Sequence, residues 1–477
     1  MNILNEIRSN KGLMLTLAVG LILRVLFVLV GAKFYFGREN IFVDGDTQVW
    51  VTCIQNLIET GTYTMNPDHE YGYFGRTPGY SFFIGIFYLL TGKDWNAAFP
   101  IIGWTQILLD TIAIYFVYKI GLKLFNSDKK SAVIPALLYA TYPFIIVWTP
   151  VVYSEQLSIF FLILSLYFFI YEEKKFNYIF AGIFISFSVL CRPQVLLLIP
   201  IMGIILIIQH RKQFSVMLKK LLQFGIAVCI LYGSWPIRNY VNYGKIIITH
   251  DLRGFEVWGI DALAFREYIY SVKAEWEPQF GEILRNRDVN FPKESYLSKE
   301  DSLKLEKVVY LSKNCGSGFS NWRGYWKEPV IDNNCNEEIK KIYDELRQNQ
   351  AKHNRLNYYV ILPLKNLQKA IFKIKLYDTA SKERKLASLL FIYRITMIVL
   401  GVVGIFILLK VNKEKQYIAY IILCYFILLY LLICAGTGPD FRNIEMRYFL
   451  PADIMLLITA SFSLLKISDK IKNIVRT

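Results

Sequence analysis

Two aspartates, Asp44 and Asp46, flank a single glycine shortly after the first long apolar run of the sequence. From Asp46 onward, apolar and polar residues follow helical spacing as far as Gly61, so the pair lies at the start of an amphipathic helix. An aspartate at this position commonly accepts hydrogen bonds from the free N–H groups of the first helical turn. A carboxylate here can equally act as a general base toward a hydroxyl group, and both interpretations stay open.

Arginines near the ends of apolar runs are the second group able to do chemistry. They are Arg76, Arg192, Arg238, Arg442 and Arg447. A guanidinium suits phosphate because its planar fork donates two parallel, charge-assisted hydrogen bonds. The structural alternative is that these side chains extend to lipid headgroups, or pair with carboxylates such as Glu155 and Glu445.

Composition indicates which elements position these residues. Apolar residues make up 54% of the 477 residues and aromatic residues 16%, and apolar runs of about 20 residues, the length that crosses a bilayer, recur along the chain. These features exclude an ordinary soluble protein and predict an all-α polytopic membrane protein with about ten transmembrane helices. The predicted spans are 12–32, 96–119, 131–150, 154–171, 178–191, 195–209, 221–236, 388–410, 417–435 and 448–466.

The net charge of +16 is interpreted as an orientation signal rather than a nucleic-acid surface. Basic segments follow alternate spans and, with the N-terminus, lie on one side, which the positive-inside rule places in the cytoplasm. They are 119–130, 172–176, 210–220, 410–415 and the C-terminal tail. The apolar segment 78–90 is only about 20 Å long as a helix, so we assign it as a juxtamembrane or re-entrant helix.

This topology divides the chain into three parts. Residues 1–236 form an N-terminal transmembrane catalytic module, whose first outer loop, 33–95, carries the aspartate pair and juxtamembrane helices. Residues 237–387 form a mostly helical extracytoplasmic domain, long enough to fold as a unit. Residues 388–477 form the C-terminal transmembrane helices.

The extracytoplasmic domain contains three further patterns. Ser298 followed by Asp301 predicts a capped helix start. Cys315 and Cys335 share the domain and either form one disulfide or remain free. Leucines and isoleucines opposed by lysines over 362–377 predict a basic amphipathic helix on the membrane surface.

Six motifs follow one another along the chain. They are FVDGDTQVWVTCIQNLIETGTY (42–63), YGYFGRTPGYSFFIGIFYLL (71–90), YSEQLSIFFLILSLYFF (153–169), LCRPQVLLLIPI (190–201), SWPIRNYVNYGKIIIT (234–249) and IEMRYFLPADIMLL (444–457). Together they resemble the GT-C superfamily of membrane glycosyltransferases, and most of all its family 39 type. That type includes dolichyl-phosphate-mannose protein mannosyltransferases and bacterial lipid A aminoarabinose transferases. The first motif departs from the family pattern, because Asp-Gly-Asp stands where an Asp-Glu pair is usual.

The resemblance implies a GT-C fold, a sugar donor carried on a polyprenyl phosphate, and an acceptor on the extracytoplasmic face of the plasma membrane. It implies a catalytic base in the first outer loop, which is Asp46 if the residue directly before the surface helix is the family aspartate. Asp44 is then its substitute, or a partner in binding acceptor or a divalent cation; no metal ligand is assigned. A general acid is not needed, because phosphate leaves as an anion. The expected substrate-binding residues are Arg447, Arg192, Arg76, Arg238, Arg442, Glu155 and Tyr80, with Arg447 and Arg192 first for the phosphate.

Two alternatives stay open. A transporter or flippase of lipid-linked sugars usually carries charges at the membrane midplane and repeated halves, whereas the polar residues here gather at one face. A ligase or polymerase of the same superfamily moves a whole glycan from a pyrophosphate-linked lipid. The sequence names neither the sugar nor the acceptor, which is a glycan, a lipid or a protein.

Overall fold

The computed structural model describes residues 3–171, 175–254, 259–274, 291–316, 333–372, 381–411, 415–438, 441–442 and 444–476. Within these ranges the regular secondary structure is entirely helical. The helices of the first half are α1 (Ile3–Ser9), α2 (Lys11–Leu26), α3 (Ala32–Phe36), α4 (Thr47–Thr60), α5 (Pro78–Leu90), α6 (Trp95–Leu124), α7 (Lys129–Ala140), α8 (Pro143–Trp148), α9 (Ser154–Ile170) and α10 (Asn177–Cys191). Those of the second half are α11 (Leu198–His210), α12 (Phe214–Leu231), α13 (Ser234–Tyr243), α14 (Ile260–Val272), α15 (Lys299–Asn314), α16 (Asn333–His353), α17 (Leu362–Phe372), α18 (Ser381–Val411), α19 (Gln416–Ala435) and α20 (Leu450–Arg476).

Seven helical segments of the described chain are long and apolar enough to cross a membrane. They are Lys11–Phe36, Trp95–Leu124, Pro193–His210, Phe214–Leu231, Leu389–Lys410, Gln416–Ala435 and Leu450–Ser468. Each has 18 residues or more, which at about 1.5 Å per residue approaches the thickness of the hydrocarbon core. The predicted all-α polytopic architecture is confirmed.

Three predicted spans differ from this set. The spans 154–171 and 178–191 correspond to α9 and α10, which are shorter, at 17 and 15 residues. The span 131–150 is interrupted, because α7 ends and α8 starts anew at Pro143. Proline disfavours the helical conformation in the preceding residue, and Tyr142 is extended there. Two short helices meeting at a bend therefore replace this predicted span.

Two ion pairs are buried inside the helical bundle. Nε of Arg24 on α2 lies 2.5 Å from Oδ2 of Asp110 on α6, so the arginine in the first span has an acidic partner. Nε of Arg394 on α18 lies 2.7 Å from Oδ2 of Asp453 on α20, and the Tyr430 hydroxyl donates to the same carboxylate. An apolar interior tolerates charges only when they are paired, so these contacts constrain how the helices pack.

The segment predicted to be the first outer loop contains two helices, α4 and α5. α4 buries Trp50, Val51 and Ile54 and ends at Gly61, whose φ of 78° closes the helix as predicted. α5 has 13 residues and packs against α4. The two helices predicted for this segment are therefore present, and α4 begins directly after Asp46.

α14, α15 and α16 form a second hydrophobic core inside the predicted extracytoplasmic range. The residues at its centre include Phe265, Ile269, Val308, Ile339 and Tyr343. The Ser298 side chain caps α15 by accepting from the Asp301 N–H, as predicted. Cys315 and Cys335 form a disulfide between the end of α15 and the start of α16.

Candidate active site

Asp46 directly precedes α4, but its side chain makes no capping hydrogen bond in the described structure. Its backbone N–H donates to the Tyr153 hydroxyl at 3.2 Å. The loop is held against the residues before α9, because the Val152 N–H donates to the Phe42 carbonyl and the Thr47 hydroxyl donates to the Val152 carbonyl. The capping interpretation is therefore wrong for Asp46, whose carboxylate has other partners.

Two arginines approach the Asp46 carboxylate. Nη2 of Arg447 lies 2.8 Å from Oδ2, and Nη2 of Arg76 lies 3.8 Å from Oδ1. Arg76 precedes α5, and its guanidinium lies over the Trp50 ring at 5.0 Å from the centroid. Arg447 lies in the short 3-10 helix Met446–Tyr448, just before α20. Three distant parts of the sequence thus meet at one carboxylate.

Glu155 connects a third arginine to this site. Glu155 is buried in the first turn of α9, its Oε1 contacts Nη2 of Arg192, and the same oxygen lies 3.6 Å from Nη1 of Arg447. Glu445 binds Nε of Arg447 at 2.6 Å. We call this set the arginine cluster: Arg76, Arg192 and Arg447 with Asp46, Glu155 and Glu445.

The charges of the cluster set the protonation of its members. Burial raises the pKa of the Asp46 carboxyl, but the positive charges of Arg447, Arg76 and Arg192 outweigh burial and hold that pKa below its ordinary value. Burial lowers the pKa of the Arg447 guanidinium, but its neighbours, Glu445 first, outweigh burial and raise that pKa. Asp46 is therefore ionised at neutral pH, and Arg447 keeps its charge.

Asp44 is engaged differently from Asp46. Its Oδ1 lies 2.9 Å from Nη1 of Arg38 and accepts from the Gly45 N–H at 2.7 Å. Its backbone N–H donates to the Thr47 hydroxyl at 3.0 Å. Sequence reasoning missed Arg38, for which the only signal was its place in the same loop. Asp44 therefore pairs with Arg38, whereas Asp46 belongs to the arginine cluster.

Close backbone packing positions the turn that carries Arg192. A Cβ atom on Gly79 would lie 2.7 Å from the backbone carbonyl carbon of Leu190, so only glycine allows the first turn of α5 to approach the end of α10 this closely. Arg192 is the residue that follows α10. The neighbouring Tyr80 is fully buried, and its hydroxyl donates to Oε1 of Gln106 at 2.7 Å.

Arg238 and Arg442 bind backbone carbonyls instead. Arg238 donates to the Tyr73 carbonyl at 2.8 Å, and Arg442 donates to the carbonyls of Tyr270 and Tyr358 at 2.9 and 3.3 Å. Among the described contacts, neither guanidinium reaches the arginine cluster, so both brace loops. Arg442, which contacts Tyr270 of α14, and Arg447, which belongs to the arginine cluster, both lie in the connection between α19 and α20. The second core and the arginine cluster therefore lie at the same face of the bundle. We call this face the site face.

Unpaired polar atoms lie beside the cluster, in the first turn of α9. Within the described structure, Oγ of Ser154, Oε2 of Glu155 and both amide atoms of Gln156 are buried and make no hydrogen bond. Buried polar atoms normally bind a partner or ordered water. This turn therefore offers donors and acceptors to a ligand next to Arg192 and Arg447.

A divalent cation does not fit the aspartate pair. Asp44 and Asp46 lie against different arginines, Arg38 and Arg447. No three His, Cys, Asp or Glu side chains of the described chain converge to hold a metal ion.

Known proteins share the fold and part of the sequence pattern. Residues 75–235 match the family described as dolichyl-phosphate-mannose-protein mannosyltransferase. No curated protein sequence matches the chain. The Archaeoglobus fulgidus oligosaccharyltransferase AglB, solved with an inhibitory peptide and a dolichol-phosphate, has a TM-score of 0.53 at 13% identity and covers 97% of this chain and 51% of its own. The same organism's enzyme tethered to an acceptor peptide has a TM-score of 0.46 at 15% identity, with 96% and 50% covered.

The chain spans about half the length of these solved structures. At 13% identity, the likeness to AglB shows the fold alone. The matched region includes Arg76, Glu155 and Arg192, whereas Asp46 and Arg447 lie outside it. The predicted resemblance is confirmed: the chain has the GT-C fold and, over residues 75–235, is similar to the dolichyl-phosphate-mannose-protein mannosyltransferase family.

Proposed function

We propose that this protein is an integral membrane glycosyltransferase that moves a sugar from a polyprenyl-phosphate donor to an acceptor hydroxyl. The observation that carries the proposal is the Asp46 carboxylate, 2.8 Å from Arg447 and close to Arg76. Such a transfer needs one base and several cations that stabilise a departing phosphate. The GT-C fold and the family match over 75–235 support the same reaction class.

The arginines of the cluster bind the donor phosphate. Glu155 holds both Arg192 and Arg447, so their guanidinium groups are already oriented when the donor arrives. The phosphate competes with Asp46 for the N–H groups of Arg447, because both are anionic acceptors of the same fork. Asp46 then loses part of the positive charge that keeps its pKa low, and becomes a stronger base.

Asp46 accepts the proton of the acceptor hydroxyl while the hydroxyl oxygen bonds to the anomeric carbon of the sugar. The bond from that carbon to the donor phosphate oxygen breaks, and the polyprenyl phosphate leaves as an anion with the bonding electrons. The Asp46 side chain is 31% exposed, so both the acceptor and the solvent that later takes the proton can reach it.

The acceptor lies outside the cytoplasm in this proposal. α6 runs from the first outer loop to a basic connection at its far end, and α12 runs from a second basic connection back toward the site face. Basic connections face the cytoplasm in polytopic membrane proteins. The arginine cluster therefore faces the extracytoplasmic side of the plasma membrane, where a lipid-bound donor and a polar acceptor meet.

A transfer assay tests the function. Purified full-length protein in liposomes receives radiolabelled polyprenyl-phosphate sugars and an extract of cell-envelope acceptors, with Asp46→Asn as the matched control. We expect release of polyprenyl phosphate and labelled acceptor with the wild-type protein, and neither product with the variant. The label's position then identifies the acceptor as glycan, lipid or protein.

Two results would overturn the proposal. Movement of intact donor across the liposome bilayer, without cleavage, would indicate a transporter or flippase. Consumption of only a pyrophosphate-linked glycan would indicate a ligase or polymerase of the same fold, so that donor is assayed in parallel.

A further inference from the structure

A cavity of about 590 Å³ lies between the end of α14 and α17. Lys273 lies on its α14 side, Glu294 lies before α15, and Lys365, Gln368 and Lys369 line it from α17. None of its lining residues belongs to the arginine cluster. We call this cavity the lysine pocket, and its occupancy does not depend on the proposed function.

The lysine pocket carries an excess of positive charge. Three lysines line it against one glutamate. In the part of the chain that the structure describes, no carboxylate lies within ion-pair distance of Lys273 or Lys365. Nζ of Lys369 donates to the Ala274 carbonyl at 2.6 Å, which holds this ammonium at the wall. Lys365 lies one helical turn before Lys369, so both side chains line the same side of the pocket.

α17 places the lysine pocket at the membrane boundary on the site face. The Asn366 side chain donates to the Cys434 carbonyl at the end of α19, at 3.0 Å. Of the predicted apolar stripe, Leu367 and Ile371 pack against the bundle core, whereas Leu364 is exposed; residues 373–380 lie outside the described ranges. The predicted amphipathic helix therefore packs Leu367 and Ile371 of its apolar stripe against the helical bundle.

Exposed apolar side chains flank the lysine pocket. Tyr359, Val360, Leu364 and Phe372 are all exposed on the segment that forms it, and Phe372 also lines the cavity. Apolar side chains exposed where a membrane helix ends face acyl chains. A ligand that fits has an anionic head for the lysines and an apolar part for this surface.

We propose that the lysine pocket binds the phosphate headgroup of an anionic phospholipid from the leaflet that borders the site face. The acyl chains lie along the exposed apolar side chains. Lysines on an open helix surface attract any lipid headgroup without selection. Here residues at the end of α14 and Glu294 form the side of the cavity opposite α17, so the lysines border a bounded site rather than an open helix surface.

Native mass spectrometry tests this site. Full-length protein is released from detergent that contains equal amounts of phosphatidylglycerol and phosphatidylcholine, and the retained lipids are counted. We expect the wild-type protein to retain phosphatidylglycerol preferentially. The Lys273→Gln/Lys365→Gln variant is expected to bind it about tenfold or more weakly. The matched control, Lys299→Gln/Lys341→Gln, removes the same charge outside the pocket lining and is expected to behave as wild type.

Further variants and a soluble anion make the outcome decisive. Lys273→Arg/Lys365→Arg keeps the charge and is expected to keep the preference. If the double glutamine variant does not fold, Lys365→Gln alone serves, because Lys365 is exposed. Equal loss in the control variant, or no preference in the wild type, would overturn the proposal. Protection from thermal unfolding by inorganic phosphate but not by phosphatidylglycerol would indicate a soluble anion and overturn it as well.

Discussion

Nη2 of Arg447 lies 2.8 Å from Oδ2 of Asp46, and this contact joins the residue before the first surface helix to the turn before the last membrane helix. The ion pair keeps Asp46 ionised and orients it toward the groups that would bind a phosphate. It also opposes basicity, because a carboxylate paired with arginine holds a proton weakly. In the proposed mechanism, the donor phosphate therefore takes the place of Asp46 at Arg447 before Asp46 acts as a base.

Replacement of Asp46 by asparagine is expected to lower the transfer rate by about 10² to 10⁴, the usual contribution of a general base. Asp44→Asn is the matched control, since it makes the same change two residues away on a carboxylate that pairs with Arg38. We expect it to lower thermal stability while the rate per folded molecule changes only a few-fold. Initial rates with a saturating lipid-linked donor measure both; equal loss in the two variants would contradict the assignment.

Replacement of Arg447 by glutamine removes the fork that contacts Asp46, Glu155 and Glu445. A hydrogen bond to a charged group contributes about 1.5–3 kcal/mol, so kcat/KM for the donor is expected to fall by about tenfold to a hundredfold. Arg447→Lys keeps the positive charge but lacks the planar fork of a guanidinium. Its kcat/KM for the donor is expected to lie between the values of Arg447→Gln and the wild type.

Replacement of Arg238 by glutamine is the control for Arg447. Arg238 donates to the Tyr73 carbonyl, so its loss is expected to lower the thermal midpoint while donor KM stays within a few-fold of wild type. Donor KM and thermal unfolding are measured on the same preparations. A large rise in donor KM in Arg238→Gln would instead indicate that Arg238 binds the donor phosphate.

The pH dependence of transfer is expected to differ between kcat/KM and kcat. The arginines lower the pKa of Asp46 in the free protein, so the acid limb of kcat/KM lies below the ordinary range of aspartate. Bound phosphate neutralises part of that positive charge, so the acid limb of kcat is expected at higher pH. kcat/KM reports the free enzyme and kcat reports the complex with substrate, and coincident limbs would argue against the exchange.

The lowered pKa of Asp46 also makes the stability of the folded protein depend on pH. A carboxyl whose folded pKa is lowered stabilises the fold above its unfolded pKa, and this contribution is lost as the pH falls through the folded pKa. Asp46→Asn is therefore expected to flatten the acid side of the thermal stability profile. Asp44→Asn, measured beside it, shows how much of that change is specific to Asp46.

A methyl group at position 79 is expected to weaken donor binding by displacing the turn that carries Arg192, although Gly79 itself is not a member of the arginine cluster. Gly79→Ala places Cβ 2.7 Å from the Leu190 backbone, and overpacking of this kind costs about 1–3 kcal/mol. Because Arg192 follows two residues after Leu190, donor binding is expected to weaken about tenfold. Gly225→Ala on α12 is the control, since its Cβ would meet no described atom within 4 Å. Thermal midpoints and donor KM for both variants check the expectation.

The sequence by itself determined the membrane class, most of the spans, the two surface helices and the candidate base. Those features depend on local periodicity and composition. Gly61 ends α4 because glycine tolerates a positive φ, and Ser298 begins α15 because its side chain caps the first turn. The motif resemblance also located Arg76, Arg192 and Arg447 as cations near one face. None of these patterns states which residues touch.

Only the tertiary structure separated Asp46 from Asp44, since the two differ by the arginines that reach them and not by their own surroundings in sequence. It committed Arg238 and Arg442 to backbone carbonyls, and it paired Arg394 with Asp453, a contact that no motif predicted. Contacts between residues hundreds of positions apart depend on how the whole bundle packs. Helical spacing predicts the face that a side chain takes, but not the partner that packing brings to it.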